Sequence, residues 1–290
     1  MNLVALLLAG GILMSMLLCE LCSSSICTAT DLQLMNVSKT LFEEQNQSTF
    51  LSAQHQRRIS SIRLSDGHSC NIAPARETSA SVLVPIFLIV KDRLGVTREM
   101  LHTIFPLHGL LEVVLLDQGS TYPPMTEYLS KWKAKNASVP PVSVVHQRAR
   151  DLKGMVDNVA SYVASYLKDH ASVEFYVVSD PDLSLRACKK DMLQLMTAVM
   201  RMCPTVAQVG TSLRMDNIPD SYHLKQKALS FESMYWSKSF IMEWKELFVH
   251  LFEAPVDTTF AMHRATVPYG RLKTPSIRTG APYMAEHIPW

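Results

Sequence analysis

The chain has 290 residues, 48% hydrophobic and 19% charged, which is the composition of a globular protein large enough for one sizeable domain and an appendage. Its formal net charge of +2 comes without any long basic run or stripe, so nothing points to nucleic acid as a partner.

Leu3 to Cys19 is apolar apart from Ser15, and the first 38 residues hold no Lys or Arg. The run is long for a signal-peptide core and short for a membrane-spanning helix. We expect residues 1–27 to be a secretory leader, cleaved near Thr28–Thr30 or kept as an N-terminal membrane anchor; a buried helix is the alternative. Residues 28–80 are rich in Ser, Gln, Asn and Thr and read as a flexible polar stem. Glycosylation sequons at Asn36, Asn46 and Asn136 agree with a lumenal or extracellular route. The CxxC of Cys19 and Cys22 has no second pair nearby to make a zinc site. Cys188 and Cys203 flank one predicted helix and stand too far apart to bridge each other, so no disulfide framework is assigned.

Residues 81–290 form the candidate domain. Val82 to Val90 is an apolar run of the kind buried on both faces of a sheet, and Thr97 is placed to cap a short helix through Ile104. Leu111 to Leu116 is a second strand, ending in Asp117-Gln118-Gly119-Ser120. Pro123 and Pro124 suit a helix start, with Met125, Tyr128, Leu129 and Trp132 at helical spacing. Val142 to Val145 is a third strand. Val156, Val159, Val163, Tyr166 and Leu167 mark an amphipathic helix. Val173 to Val178 is a fourth strand, and Met192, Leu195, Met196 and Val199 another helix whose methionines are core filler. Val206 to Leu213 is a fifth strand. Beyond it the pattern turns irregular and aromatic. Strands alternating with helices predict an α/β layered fold with a mostly parallel central sheet.

The fourth strand ends in Ser179-Asp180-Pro181-Asp182. Pro181 fixes its own φ and keeps Asp180 out of helix, so the two carboxylates fall on one side of extended chain. Ligands of open α/β sheets bind at the carboxyl ends of strands, and two hard oxygen donors there suit a divalent cation that takes its other ligands from phosphate. The plain alternative is a turn, since Asp and Pro are common turn residues. Asp117 would share that sheet edge.

Pro85 to Val90, Leu116-Asp117-Gln118-Gly119-Ser120-Thr121 and Ser179-Asp180-Pro181-Asp182, in this order, resemble the nucleotide-sugar-dependent glycosyltransferases of the GT-A fold, closest to the family-2-like group. Val256 to Ala261 and Gly280 to Trp290 resemble that group's C-terminal blocks. The resemblance implies a Rossmann-like layered domain. It implies that Asp117 contacts the nucleotide base, and that Asp180 and Asp182 bind Mn2+ (or Mg2+) together with the ribose and diphosphate. It implies that His287 completes the metal shell and that Glu232 or Asp257 is the base of an inverting reaction. Gln118 stands where many members have Asn, and the usual acidic pair marking the base is missing, so the choice of base stays open. Arg278, with Arg148, Arg150 and Lys153, is a candidate to offset charge on the departing diphosphate; Trp236 and Trp290 are candidates to stack on sugars, or else core aromatics.

The expected activity is metal-dependent transfer of a sugar from a nucleotide-sugar donor to a glycan, lipid or protein hydroxyl in the secretory pathway. A non-catalytic binding protein of the same fold is the alternative. A glycoside hydrolase is less favoured, because Asp180 and Asp182 sit on one face of one strand, whereas hydrolytic carboxyls flank the scissile bond.

Overall fold

The computed structural model describes residues 61–65, 67, 69–71, 83–132, 140–256, 260–270 and 275–288. The expected leader, most of the expected stem, the three sequons, Asp257 and Trp290 lie outside them. Among the described residues no helix is long and apolar enough to cross a membrane.

A nine-stranded sheet carries the domain. Its first half is built from β3 (Leu83–Val90), β4 (Leu110–Asp117), β5 (Val142–His146) and β6 (Phe175–Ser179), paired in parallel in the order β5-β4-β3-β6. β3 has seven buried residues of eight because the sheet is covered on both faces. Ile86, Leu88 and Val90 point to one core and Phe87 and Ile89 to the other. The crossovers are α1 (Leu94–Ile104), α2 (Pro123–Lys131) and α3 (Leu152–Asp169). α1 begins earlier than expected: Thr97 is inside it, its Oγ1 donating to the Arg93 carbonyl at 2.8 Å, and Arg93 holds the cap position. Pro123 opens α2 as expected, and Asp151 caps α3, its Oδ1 accepting the Gly154 N–H at 2.7 Å.

After β6 come the two-residue β7 (Leu183–Ser184), α4 (Met192–Met202), β8 (Gln208–Thr211) and α5 (Lys225–Ser233). The methionines of α4 are core residues, as its spacing implied. The remaining strands are β9 (Ser239–Trp244), β10 (Leu247–Glu253), β11 (Ala261–Arg264), β12 (Ser276–Thr279) and β13 (Glu286–His287). β11 enters antiparallel between β6 and β8, β12 adds in parallel to β8, and the β9–β10 hairpin closes the far edge antiparallel. The α/β layered fold is as the sequence implied; its strands pair in parallel in β5-β4-β3-β6 and in β8-β12. Lys245 and Glu246 take φ of 45° and 67° in the tight β9–β10 turn, the left-handed geometry a two-residue hairpin loop demands. Gly280, past β12, must lack a side chain: a Cβ there would stand 2.8 Å from the His250 carbonyl oxygen.

Two findings correct the reading of the N-terminal region. First, within the span expected to be stem, β1 (Ser61–Arg63) and β2 (Ser69–Asn71) pair as a hairpin whose Leu64 and Cys70 are buried in the main core. The Ser65 backbone N–H and hydroxyl bond the Glu253 carboxylate on β10, and Lys238 Nζ donates to Ser65 Oγ. Second, Cys70 is disulfide-bonded to Cys203, at the end of α4, across a separation of 133 residues. Cys188 is free and buried, in line with the view that it cannot bridge Cys203.

Candidate active site

Because β3, β4 and β6 are parallel, their carboxyl ends deliver three loops to one sheet edge: 91–93, 118–122 and 180–182. The β4 and β6 ends lie two strand spacings apart, roughly 10 Å, with β3 between them.

Asp92 follows β3 with φ of 55°, a left-handed conformation that Asp tolerates better than most residues. Its Oδ1 accepts the Thr121 and Tyr122 N–H groups at 2.6 and 2.7 Å, and its own N–H donates to Ser120 Oγ at 3.0 Å. The bond from Tyr122 foremost holds this carboxyl below the usual aspartate range. Asp92 thus ties the β3 loop to the β4 loop. It was not among the sequence candidates; its only signal there was a charged Lys91-Asp92-Arg93 cluster directly after a buried strand.

Asp117, at the end of β4, is buried. Its Oδ1 accepts the Ser120 N–H at 2.9 Å and its Oδ2 lies 3.0 Å from His146 Nδ1, which is on the neighbouring strand. The buried Gln118 amide donates to Gln147 Oε1 at 2.5 Å and accepts from Asn158 Nδ2 at 3.3 Å, so β4, the β5 loop and α3 are joined by side-chain amides.

Asp180 and Asp182 follow β6 and are both buried, at 6% and 8% relative exposure. The chain then forms β7, which pairs antiparallel with β13 so that Leu183 stands opposite His287. Ile288 N–H donates to the Asp182 carbonyl at 2.9 Å. This pairing carries His287 across more than a hundred residues of sequence to set its Nε2 3.8 Å from Asp182 Oδ2. Glu286, beside it, accepts from Arg214 Nη1 at 2.7 Å, and Cys188 Sγ donates to the Met284 carbonyl, so the C-terminal segment is held from both sides. Of the three residues that the sequence resemblance had grouped, the structure sets His287 beside Asp182, two residues after Asp180.

A guanidinium is present at the same carboxylate. Arg93 Nη1 donates to Asp182 Oδ2 at 2.6 Å. Tyr269 packs edge-on to His263, which stacks on Tyr176. Burial, with a smaller contribution from the Asp180 charge, raises the Tyr269 phenol above its usual range. Burial pushes the His263 imidazole down to about 4, so it is neutral at physiological pH.

Arg278 and Glu232 are placed differently. Val178, Ala261, Gly210 and Arg278 lie in one row across β6, β11, β8 and β12, which puts Arg278 three strand spacings, roughly 14 Å, from β6. Its side chain is fully buried. Nε donates to the Pro255 carbonyl at 2.7 Å, Nη1 reaches Glu232 Oε2 at 3.4 Å, and the guanidinium lies 4.0 Å over the Tyr235 ring. The two candidates thus partner each other inside the domain. Arg148, Arg150 and Lys153 are exposed, and Lys153 Nζ is engaged by Asp157 one turn along α3. Trp236 is buried and stacked on Phe252, the core role that was its alternative.

Among the described residues no three His, Cys, Asp or Glu side chains are gathered closely enough to enclose an ion by themselves. A cation that keeps only one or two protein carboxylates and completes its shell with substrate phosphates does not need such a cage. Asp182 with His287 fits that mode: a hard oxygen and an imidazole donor 3.8 Å apart at a sheet edge, two residues after Asp180.

No protein-family model and no curated protein matches the chain. Solved structures do. Mannosyltransferase PcManGT from Pyrobaculum calidifontis, in complex with GDP-Man and Mn2+, is 13% identical over 81% of this chain and 56% of its own, with a TM-score of 0.42. TarS of S. aureus is 13% identical over 64% of this chain and 28% of its own, TM-score 0.37. GalNAc-T7 with UDP, GalNAc and Mn2+ is 8% identical over 80% and 47%, TM-score 0.45. The chain thus spans between 28% and 56% of the length of these structures.

Proposed function

We propose that this protein is a metal-dependent glycosyltransferase of the GT-A type, transferring a sugar from a nucleotide-sugar donor to a hydroxyl of a glycan, lipid or protein. One observation carries the reading: the β7–β13 pairing places His287 beside Asp182, immediately after the strand that delivers Asp180, at the edge where Asp117 also emerges.

In this reading Asp180, Asp182 and His287 hold Mn2+ or Mg2+, which offsets the charge that develops on the departing diphosphate. Asp117 takes the nucleotide base in this reading, its carboxylate held by the Ser120 N–H and by His146. The acceptor hydroxyl must lose a proton as it attacks, and a positioned carboxylate takes it. Glu232 is engaged by Arg278 inside the domain, so we assign that role to Asp257, between Val256 and Phe260.

The same engagement of Glu232 favours, as a second reading, a binding protein of this fold without turnover. A panel of nucleotide sugars, tested for Mn2+-dependent hydrolysis and transfer, separates the two. Turnover of at least one donor that falls a hundredfold or more in Asp182→Ala and in Asp257→Asn, with the fold retained, supports the transferase (a general base alone contributes about 10²- to 10⁴-fold). Binding of a donor without turnover supports the second reading.

We also propose the secretory route and an N-terminal leader or membrane anchor. The apolar N-terminal run and the sequons support it, as does the Cys70–Cys203 disulfide, since such bonds persist in oxidising compartments.

A further inference from the structure

Arg93 has no role in the reading above, yet it makes the shortest contact to its central carboxylate. Nη1 lies 2.6 Å from Asp182 Oδ2, and the two side chains differ in exposure, 45% for Arg93 against 12% for Asp182. The Asp182 backbone is fixed, because its carbonyl is bonded by Ile288 N–H and β7 follows at once. The guanidinium is tethered by a long, half-exposed side chain. Its root is fixed too: Asp92, in its left-handed conformation, is bound to the Thr121 and Tyr122 amides, and the Arg93 carbonyl receives both the N–H and the hydroxyl of Thr97. Arg93 is therefore rigid at its backbone and able to turn at its head. His287 Nε2 lies 3.8 Å from the same Asp182 oxygen.

A guanidinium and a divalent cation repel each other, and both seek the one oxygen that Arg93 now holds. If a cation takes Asp182, Arg93 must leave it. The group that then stands nearest is the cation's other partner, a diphosphate, and the planar fork of arginine matches phosphate oxygens as it matches carboxylate.

We propose that Arg93 is a diphosphate-binding residue that is parked on Asp182 until a divalent cation and the donor's diphosphate arrive, and that it exchanges one anion for the other as they bind. The free protein is thereby kept from holding the cation tightly, and cation and nucleotide bind with positive coupling. The proposal rests on the transferase reading of Asp180 and Asp182.

The test is a pair of calorimetric titrations on the full chain: MnCl2 alone, then UDP and GDP at saturating MnCl2. For Arg93→Ala we expect Mn2+ affinity of the free protein to rise about tenfold and nucleoside diphosphate affinity to fall about tenfold or more. Arg93→Lys, which keeps the charge but not the fork, should lie between wild type and Arg93→Ala in both. Unchanged or weaker Mn2+ binding in Arg93→Ala, or unchanged nucleotide binding, overturns the exchange while leaving the transferase reading standing. A wild type that binds neither UDP nor GDP with Mn2+ overturns both.

Discussion

Two of the acid–arginine pairs in this domain differ sharply in burial. Arg278 and Glu232, in the antiparallel half, are 3.4 Å apart with side-chain exposures of 0% and 4%. Arg93 and Asp182, at the end of the parallel half, are 2.6 Å apart with exposures of 45% and 12%. The residue types are the same and the chemistry differs. A fully buried pair cannot release either partner without leaving a charge in a low-dielectric core, so it serves the fold. A pair with one head in water can exchange its partner at small cost, so it can serve a ligand. Burial, more than residue type, separates structure from site here.

The comparison can be broken from its buried side first. Arg278→Ala removes the guanidinium beside the buried Glu232 carboxylate and should cost about 3–5 kcal/mol in chemical denaturation. The double replacement Arg278→Met with Glu232→Gln should cost less than Arg278→Ala alone, because it takes both charges out of the core. If Arg278→Ala is neutral, the pair is not a structural one.

Next comes the hairpin that braces the antiparallel half through Ser65 and Glu253. Cys203→Ala, or reduction, should lower stability by about 2–5 kcal/mol, since the bond closes a long loop. The seam between the halves is β11, and His263 on it gives a pH dependence. Its folded value of about 4 lies below the ordinary 6.5, so the unfolded chain takes up a proton that the folded one refuses. Stability is full above about pH 6.5 and falls as the pH drops toward 4, by on the order of 3 kcal/mol. Unfolding of His263→Phe should show a shallower acid slope over that window.

On the exposed side the effects on stability are small. Asp92→Ala, which removes the acceptors of two backbone N–H groups, should cost about 1 kcal/mol. Arg93→Ala should cost less than about 1 kcal/mol, as for other pairs with a solvated partner. A loss as large as that of Arg278→Ala would erase the distinction between the two pairs.

Much of this half-and-half arrangement was legible in the sequence. The parallel strands announce themselves as unbroken apolar runs because they are buried on both faces, and the acidic residues that end them, Asp117 and Asp180, mark the edge. His287 was reached through a resemblance, not through spacing, since only the β7–β13 pairing makes it Asp182's neighbour. The antiparallel strand β11 gave no signal: Ala261-Met262-His263-Arg264 is too short and mixed to show a period. The hairpin at Ser61–Asn71 was hidden by the polar composition around it, and its disulfide by 133 residues of separation. Glu232 and Arg278 are ordinary site candidates by type; that they meet inside the domain shows only in the structure. Arg93 is an ordinary loop arginine until the topology sets it against Asp182.

The account rests on the Asp180–Asp182 edge as a site for a cation and a diphosphate. Titrating UDP and GDP into the full chain with and without MnCl2, for wild type and Asp182→Ala, tests it most directly. We expect binding that requires Mn2+ in the wild type and is lost in Asp182→Ala while circular dichroism shows the fold intact. Binding that is indifferent to Mn2+ and to the substitution would contradict it.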